Sequence, residues 1–221
     1  MKDIKAMKGR YYIRELVSAG EHERQDFKFS VNDPRKIARS LSAFANRSGG
    51  HLLIGVKDNG TVAGVKRPDE EIYIVEQAAE RYCRPSQHVE FTLFSVEPGV
   101  SVIRASIEAT AEPPVEVDEG GGILRAYYRV ADENITAHPL MVEAWHRRST
   151  CTGLTLNFEH DGLPASVLRA LAAGPMPVER IALNIHASTE SVTETVISLA
   201  SLKLIDFRFD GHGFLPALPS E

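Results

Sequence analysis

Residues 42–65 read SAFANRSGGHLLIGVKDNGTVAGV, and the fold turns on how their five glycines are understood. Upstream, NDPRKIARSLSAFANRS has the marks of a helix. Asn32 or Asp33 can cap it, Pro34 suits its first turn, and Ile37, Leu41 and Phe44 recur at helical spacing. Arg35, Lys36 and Arg39 point away from that stripe. Gly49 and Gly50 stand where the helix must stop in a left-handed conformation. HLLIGV then reads as a strand buried on both faces, DNG as a type I′ hairpin turn, and TVAGV as the return strand.

Outward from this centre, QDFKFS (25–30) alternates, with Phe27 and Phe29 on one face and Asp26, Lys28 and Ser30 on the other. That is the period-2 pattern of a half-buried strand. A helix is expected over 69–83, from Ile72, Val75, Ala79 and Tyr82, and a hairpin turned at Pro98–Gly99. EVDEGGG (116–122) reads as an acidic loop, ILRAYYRV as a strand and HPLMVEAWHRR as a closing helix. Hairpins mixed with helices predict a mixed-sheet α/β (α+β) domain over 10–148. After a linker at 149–162, three helical segments and a short hairpin around Asp210–Gly211 give 163–221 the plan of a winged helix. Its expected core is Ile181, Ile185, Val192, Val196, Leu199 and Leu202.

Composition is that of an ordinary globular protein, 43% hydrophobic and 25% charged. No apolar run is long enough to span a bilayer and no signal peptide stands out, which predicts a cytoplasmic chain away from membranes. Cys83 and Cys151 lie far apart without a CxxC partner, as expected of reduced thiols. Net charge is −5, yet residues 1–67 hold 14 Lys and Arg against 7 Asp and Glu, while 68–221 hold 11 against 23. A basic stretch at the front of the chain suits a polyanion. The histidines show no HxH or HExxH spacing for a metal.

A glycine cluster invites comparison with phosphate-binding loops, and the order of elements argues against it. No G-x4-G-K-[ST] is present, and the double glycine follows a helix and precedes a strand, the reverse of a dinucleotide fingerprint. ATP is therefore not the expected ligand.

GEHERQDFKF, AFANRSGGHLLIGVKDNGTVAGV and RAYYRVADENITA together resemble the Schlafen AlbA-like (AlbA-2, "divergent AAA") domain over about 20–137. The resemblance implies association with nucleic acid, DNA or RNA. In ribonucleases of this kind three carboxylates hold Mg²⁺ or Mn²⁺ and cleave tRNA-like or other structured RNA. The matching positions are Glu21, Asp26 and Asp58, with Asp26 departing from the pattern's glutamate. Hard carboxylate oxygens around such an ion would activate water and neutralise charge at phosphorus.

Lys28, on the face of Asp26, is placed to contact phosphate. Arg35, Lys36, Arg39, Arg47 and Lys57 are candidates for a basic groove, with Arg129 joining them by resemblance. Tyr127 and Tyr128 read as core packing before base stacking. The leading expectation is a nucleic-acid-binding, transcriptional-regulator-like protein that needs no cofactor to bind and forms a homodimer. The alternatives are the Mg²⁺/Mn²⁺-dependent endoribonuclease and a protein-interaction or dimerisation module. Residues 163–221 carry four basic against six acidic residues, which favours self-association or partner docking over DNA reading as much as the reverse.

Overall fold

The computed structural model describes residues 6–150 and 162–219. They divide into two units, Met1–Ala111 with Val115–Thr136, and Glu112–Pro114 with Ala137–Glu221. Both are built from the elements expected of a mixed α/β chain.

In the first unit a five-stranded mixed sheet runs in the order β1 (Met7–Lys8), β5 (Glu90–Glu97), β6 (Val100–Ile107), β3 (Gly50–Ile54), β2 (Gln25–Lys28). β2 and β3 are parallel, with Gln25 opposite His51 and Lys28 opposite Ile54, while β3–β6 and β6–β5 are antiparallel. Helix α1 (Arg10–Ala19) covers one face, where Ile13 packs with Phe27, Leu53, Phe94 and Val102. α1 lies outside the elements expected from the sequence, although Ile13, Leu16 and Val17 carry the helical spacing.

On the other face lies α2 (Pro34–Ala45), started by Pro34 and by Asp33, whose carboxylate accepts from the amides of Arg35 and Lys36. A second sheet, β4 (Cys83–Arg84), β7 (Glu116–Gly120), β8 (Ile123–Val130), β9 (Glu133–Thr136), packs on the far side of α2. The helix is therefore buried nearly all round: besides Ile37, Leu41 and Phe44, it buries Ala38, Ser40, Ser42 and Ala43. Small residues let the second sheet approach. Ser42 Oγ donates to the Val115 carbonyl at 2.7 Å and accepts from Tyr127 N. Buried Asn46, just past the helix, accepts from Val115 N at 2.7 Å and donates to the carbonyls of Val115 and Tyr127 at 2.9 Å.

The double glycine has two roles. Gly49 has φ +66° and returns its amide to Phe44 O at 2.9 Å, ending the helix as expected. Gly50 is already in β3, where a Cβ would stand 2.6 Å from the Phe44 ring.

Two local expectations give way. TVAGV returns only as an isolated bridge, Val56 to Val62. Glu116–Gly120 is a strand and not a loop, because it pairs with both β4 and β8. The helix expected over 69–83 is in place, as α3 (Pro68–Gln77) running on into a π-helical turn, Ala78–Tyr82. Cys83 is buried and its thiol is pushed up to about 12, chiefly by burial, so it is an inert core group; Cys151 lies outside the described residues.

The second unit contains α4 (Pro139–Thr150), α5 (Leu163–Leu171), α6 (Val178–Ile185) and α7 (Thr189–Ser201), then the hairpin β10 (Asp206–Phe209) and β11 (Phe214–Ala217). The three helices and hairpin expected over 163–221 are in place. Ile181, Val192, Val196 and Leu199 are buried as expected, whereas Ile185 and Leu202 are half-buried. The boundary differs from 148: α4 packs on α7, so it joins this unit. Arg147 pairs with Glu194, and Arg148 donates to the carbonyls of Ala200 and Ser201 at the end of α7, where cations suit unpaired carbonyls. Most of the expected 149–162 linker lies outside the described residues.

Replacing Asn46 by Leu would leave the Val115 amide and the Tyr127 carbonyl without their partners inside the protein, and the Val115 carbonyl with Ser42 alone. Each such orphan costs about 1–3 kcal/mol. Urea unfolding is expected to show Asn46→Leu destabilised by roughly 3 kcal/mol or more, and the exposed Lys36→Ala changed by less than about 0.5 kcal/mol.

Candidate nucleic-acid interface

β2 ends its sheet, so its outward backbone groups need partners from outside the ladder. Three of the predicted site residues, together with His22, supply them. Glu21 Oε1 accepts from the Phe27 amide at 2.8 Å, and Lys28 Nζ donates to the Phe27 carbonyl at 2.9 Å. His22 bridges Gln25 through both backbone groups. Arg129 Nη2, from β8, reaches the Gln25 carbonyl at 3.2 Å.

Arg129 is 1% exposed and Asp26 4%. The guanidinium lies 5.0 Å above the Phe44 ring, donates to Asn134 Oδ1 at 2.8 Å, and stands 3.4 Å from Asp26 Oδ1. Lys28 Nζ is 2.6 Å from Asp26 Oδ2, a close ion pair without hydrogen-bond alignment. Asp26 and Lys28 share a face, as the alternation predicts. Burial holds the Glu21 carboxyl above its usual range against the opposing Phe27 amide, and neighbouring Asp26 adds to the rise.

This overturns two assignments. Arg129 is enclosed and fully engaged, so it is a structural cation and not a surface contact for nucleic acid. The carboxylate trio is not assembled as a metal centre. Glu21 and Asp26 are neighbours committed to the β2 edge, while Asp58 sits exposed in the turn after β3. Among the described residues no three His, Cys, Asp or Glu gather to hold a metal. These residues do not fit a three-carboxylate Mg²⁺ or Mn²⁺ site.

The remaining cations divide by partner. Arg39 makes a bidentate pair with Glu119 at 2.6 and 2.8 Å, and Tyr127 Oη also donates to Glu119 at 2.6 Å. Arg39 holds that carboxyl below its usual range, and burial first, then the Glu119 bond, push Tyr127 up to about 12. Arg47 is spent on Glu23 at 2.8 Å, on the Arg129 carbonyl and on the Tyr128 ring. Tyr127 is core, as expected.

Arg35, Lys36 and Lys57 are exposed, and among the described residues none has a carboxylate partner. Arg35 lies over the Tyr82 ring at 5.2 Å. Lys57 lies 5.6 Å over Phe29, which is 55% exposed and not in the core that the alternation predicts. β2 stops at Lys28, so Phe29 leaves the sheet beside the turn that carries Lys57. An aromatic face under a cation at the open end of two strands can stack a base and hold its phosphate. Phe29 is hidden in the sequence because the alternation runs on in letters to Ser30, two residues past the end of β2 at Lys28.

With Arg129→Leu, Asp26 loses its buried guanidinium and the Gln25 carbonyl a donor. The expected loss is about 3–5 kcal/mol of stability by denaturant unfolding, larger than for Arg35→Leu.

The family model for Schlafen, AlbA_2 matches residues 21–138, more than half of the chain. No curated protein matches. Among solved structures, the DIP2311 protein of Corynebacterium diphtheriae is 19% identical with a TM-score of 0.45; the match covers 87% of this chain and 34% of that one. This chain thus spans about a third of that protein's length. The N-terminal domain of a Nitrosomonas europaea protein described as related to the ATP-dependent DNA helicase RecG is 16% identical, with a TM-score of 0.43. That match covers 71% of this chain and 97% of that one. Among the described residues no helix is long and apolar enough to cross a membrane.

Proposed function

The chain belongs to the Schlafen AlbA_2 family, and on that premise we propose that it binds nucleic acid through the open end of β2 and β3. The observation that carries the proposal is the exposed Phe29 beneath Lys57, with Arg35 and Lys36 on the first turn of α2 as further unpaired cations. Such a surface contacts phosphates and stacks bases without reading their edges, so it favours single strands and little sequence preference. Metal-dependent RNA cleavage is the weaker reading, because Glu21 and Asp26 are committed to the sheet edge.

Binding is expected to weaken steeply with salt, since each neutralised phosphate releases counterions. Fluorescence anisotropy with single-stranded RNA and DNA tests this. The triple variant Arg35→Glu, Lys36→Glu, Lys57→Glu should flatten the log K against log salt slope by roughly 2. Phe29→Ala should weaken single-stranded binding more than duplex binding. Equal affinities for wild type and both variants would refute the assignment.

The second unit we propose to be a winged helix that serves self-association, within a regulator-like protein. Its acidic excess and the engagement of Glu194 by Arg147 support a protein partner over DNA. Sedimentation equilibrium of the full chain should show a homodimer, and a monomer at all concentrations would reject that role.

A further inference from the structure

At the other end of β2 and β3 the face covered by α1 is only partly apolar. Phe27 and Leu53 meet Ile13, but the next row across the sheet is Gln25, His51, Ser106 and Glu90, one from each of four adjacent strands. This polar row lies in a pocket of about 940 Å³ that Arg24 and Arg104 also line.

The row is ordered. Gln25 Nε2 donates to the carbonyls of Leu16 and Gly20 at 2.7 and 2.6 Å, which turns its Oε1 to His51 Nε2 at 2.8 Å. His51 therefore donates from Nε2 and keeps Nδ1 as an acceptor. Burial first, and then the nearby Arg104 charge, hold the imidazole neutral, down at about 4.

The cations are unneutralised. Among the described residues neither Arg24 nor Arg104 pairs with a carboxylate, although Glu90 and Glu108 also line the pocket. Arg104 is held by Tyr12, whose hydroxyl accepts from Nη1, and its guanidinium lies over the Tyr12 and Phe94 rings at 5.6 and 5.9 Å. Among the described residues its buried Nε has no acceptor. A guanidinium fixed by two rings loses little freedom when an anion arrives, and planar donors suit phosphate oxygens.

We propose that this pocket binds a terminal phosphate, a phosphomonoester held by Arg24 and Arg104, whose attached hydroxyl- or amine-bearing group faces Glu90 and Glu108. A free nucleotide and the phosphorylated end of a nucleic-acid strand share that chemistry. The site lies at the opposite end of β2 from Phe29 and Lys57, and it does not depend on them.

Calorimetric titration of the full chain with inorganic phosphate, adenosine monophosphate, and one RNA oligonucleotide bearing a 5′-phosphate or a 5′-hydroxyl tests the proposal. Inorganic phosphate and at least one phosphomonoester should bind. Their affinity should fall at least about tenfold in Arg24→Gln and in Arg104→Gln, in line with loss of a charge-assisted contact. Arg24 is exposed, so its variant guards against misfolding of the other. By NMR the His51 titration should move up by roughly one unit with phosphate bound, because a nearby anion favours the imidazolium.

Preference for the 5′-phosphate strand, abolished by Arg24→Gln, would identify a strand end. Tighter binding of the mononucleotide would identify a small ligand. Binding of the 5′-hydroxyl strand should survive both substitutions, which separates this site from the surface at Phe29. Failure of phosphate and every phosphomonoester to bind, or unchanged affinity in both variants with His51 unmoved, would overturn it.

Discussion

An outer strand of a sheet exposes backbone donors and acceptors that must find partners, and the first unit is organised around that need at β2. Glu21 and Lys28 satisfy the amide and carbonyl of Phe27, and Arg129 reaches across from β8 to the carbonyl of Gln25. Because Arg129 belongs to the second sheet and lies over Phe44 of the helix between, one side chain ties three layers together. Its charge is tolerable in the interior because Asp26 faces it and Asn134 and backbone carbonyls take its remaining protons.

The helix between the sheets imposes the second constraint. Two sheets close on α2, so its small residues bring backbones together and its polar ones must be hydrogen-bonded. Asn46 and Ser42 meet that demand by binding Val115 and Tyr127. With most of the helix enclosed, its first turn is where Arg35 and Lys36 emerge into solvent. The distribution of free charge on this unit therefore follows from which cations the interior has already used.

Much of the architecture is legible in the chain. Pro34 and Asp33 announce the helix start, Gly49 its end, the alternation in QDFK a strand, and Pro98–Gly99 the hairpin turn. The errors have local causes. Phe29 continues the alternation in letters, yet the strand has ended before it. Glu116–Gly120 looks like an acidic loop because Glu119 is read without Arg39, its partner 80 residues away. Ser and Ala in α2 declare no face, so the second sheet upon it cannot be inferred from spacing.

Sequence alone determined the helix stops and starts, the alternation that puts Asp26 and Lys28 on one side, the family and the concentration of positive charge in the first 67 residues. These are local or additive properties, set by dihedral preference, periodicity and composition. Only the tertiary structure decided which charges are spent and which are free. Arg129, Arg39, Arg47 and Lys28 look the same in sequence as Arg35, Lys36 and Lys57. A charge is neutralised by whatever lies within a few ångströms, and that neighbour comes from a distant part of the chain.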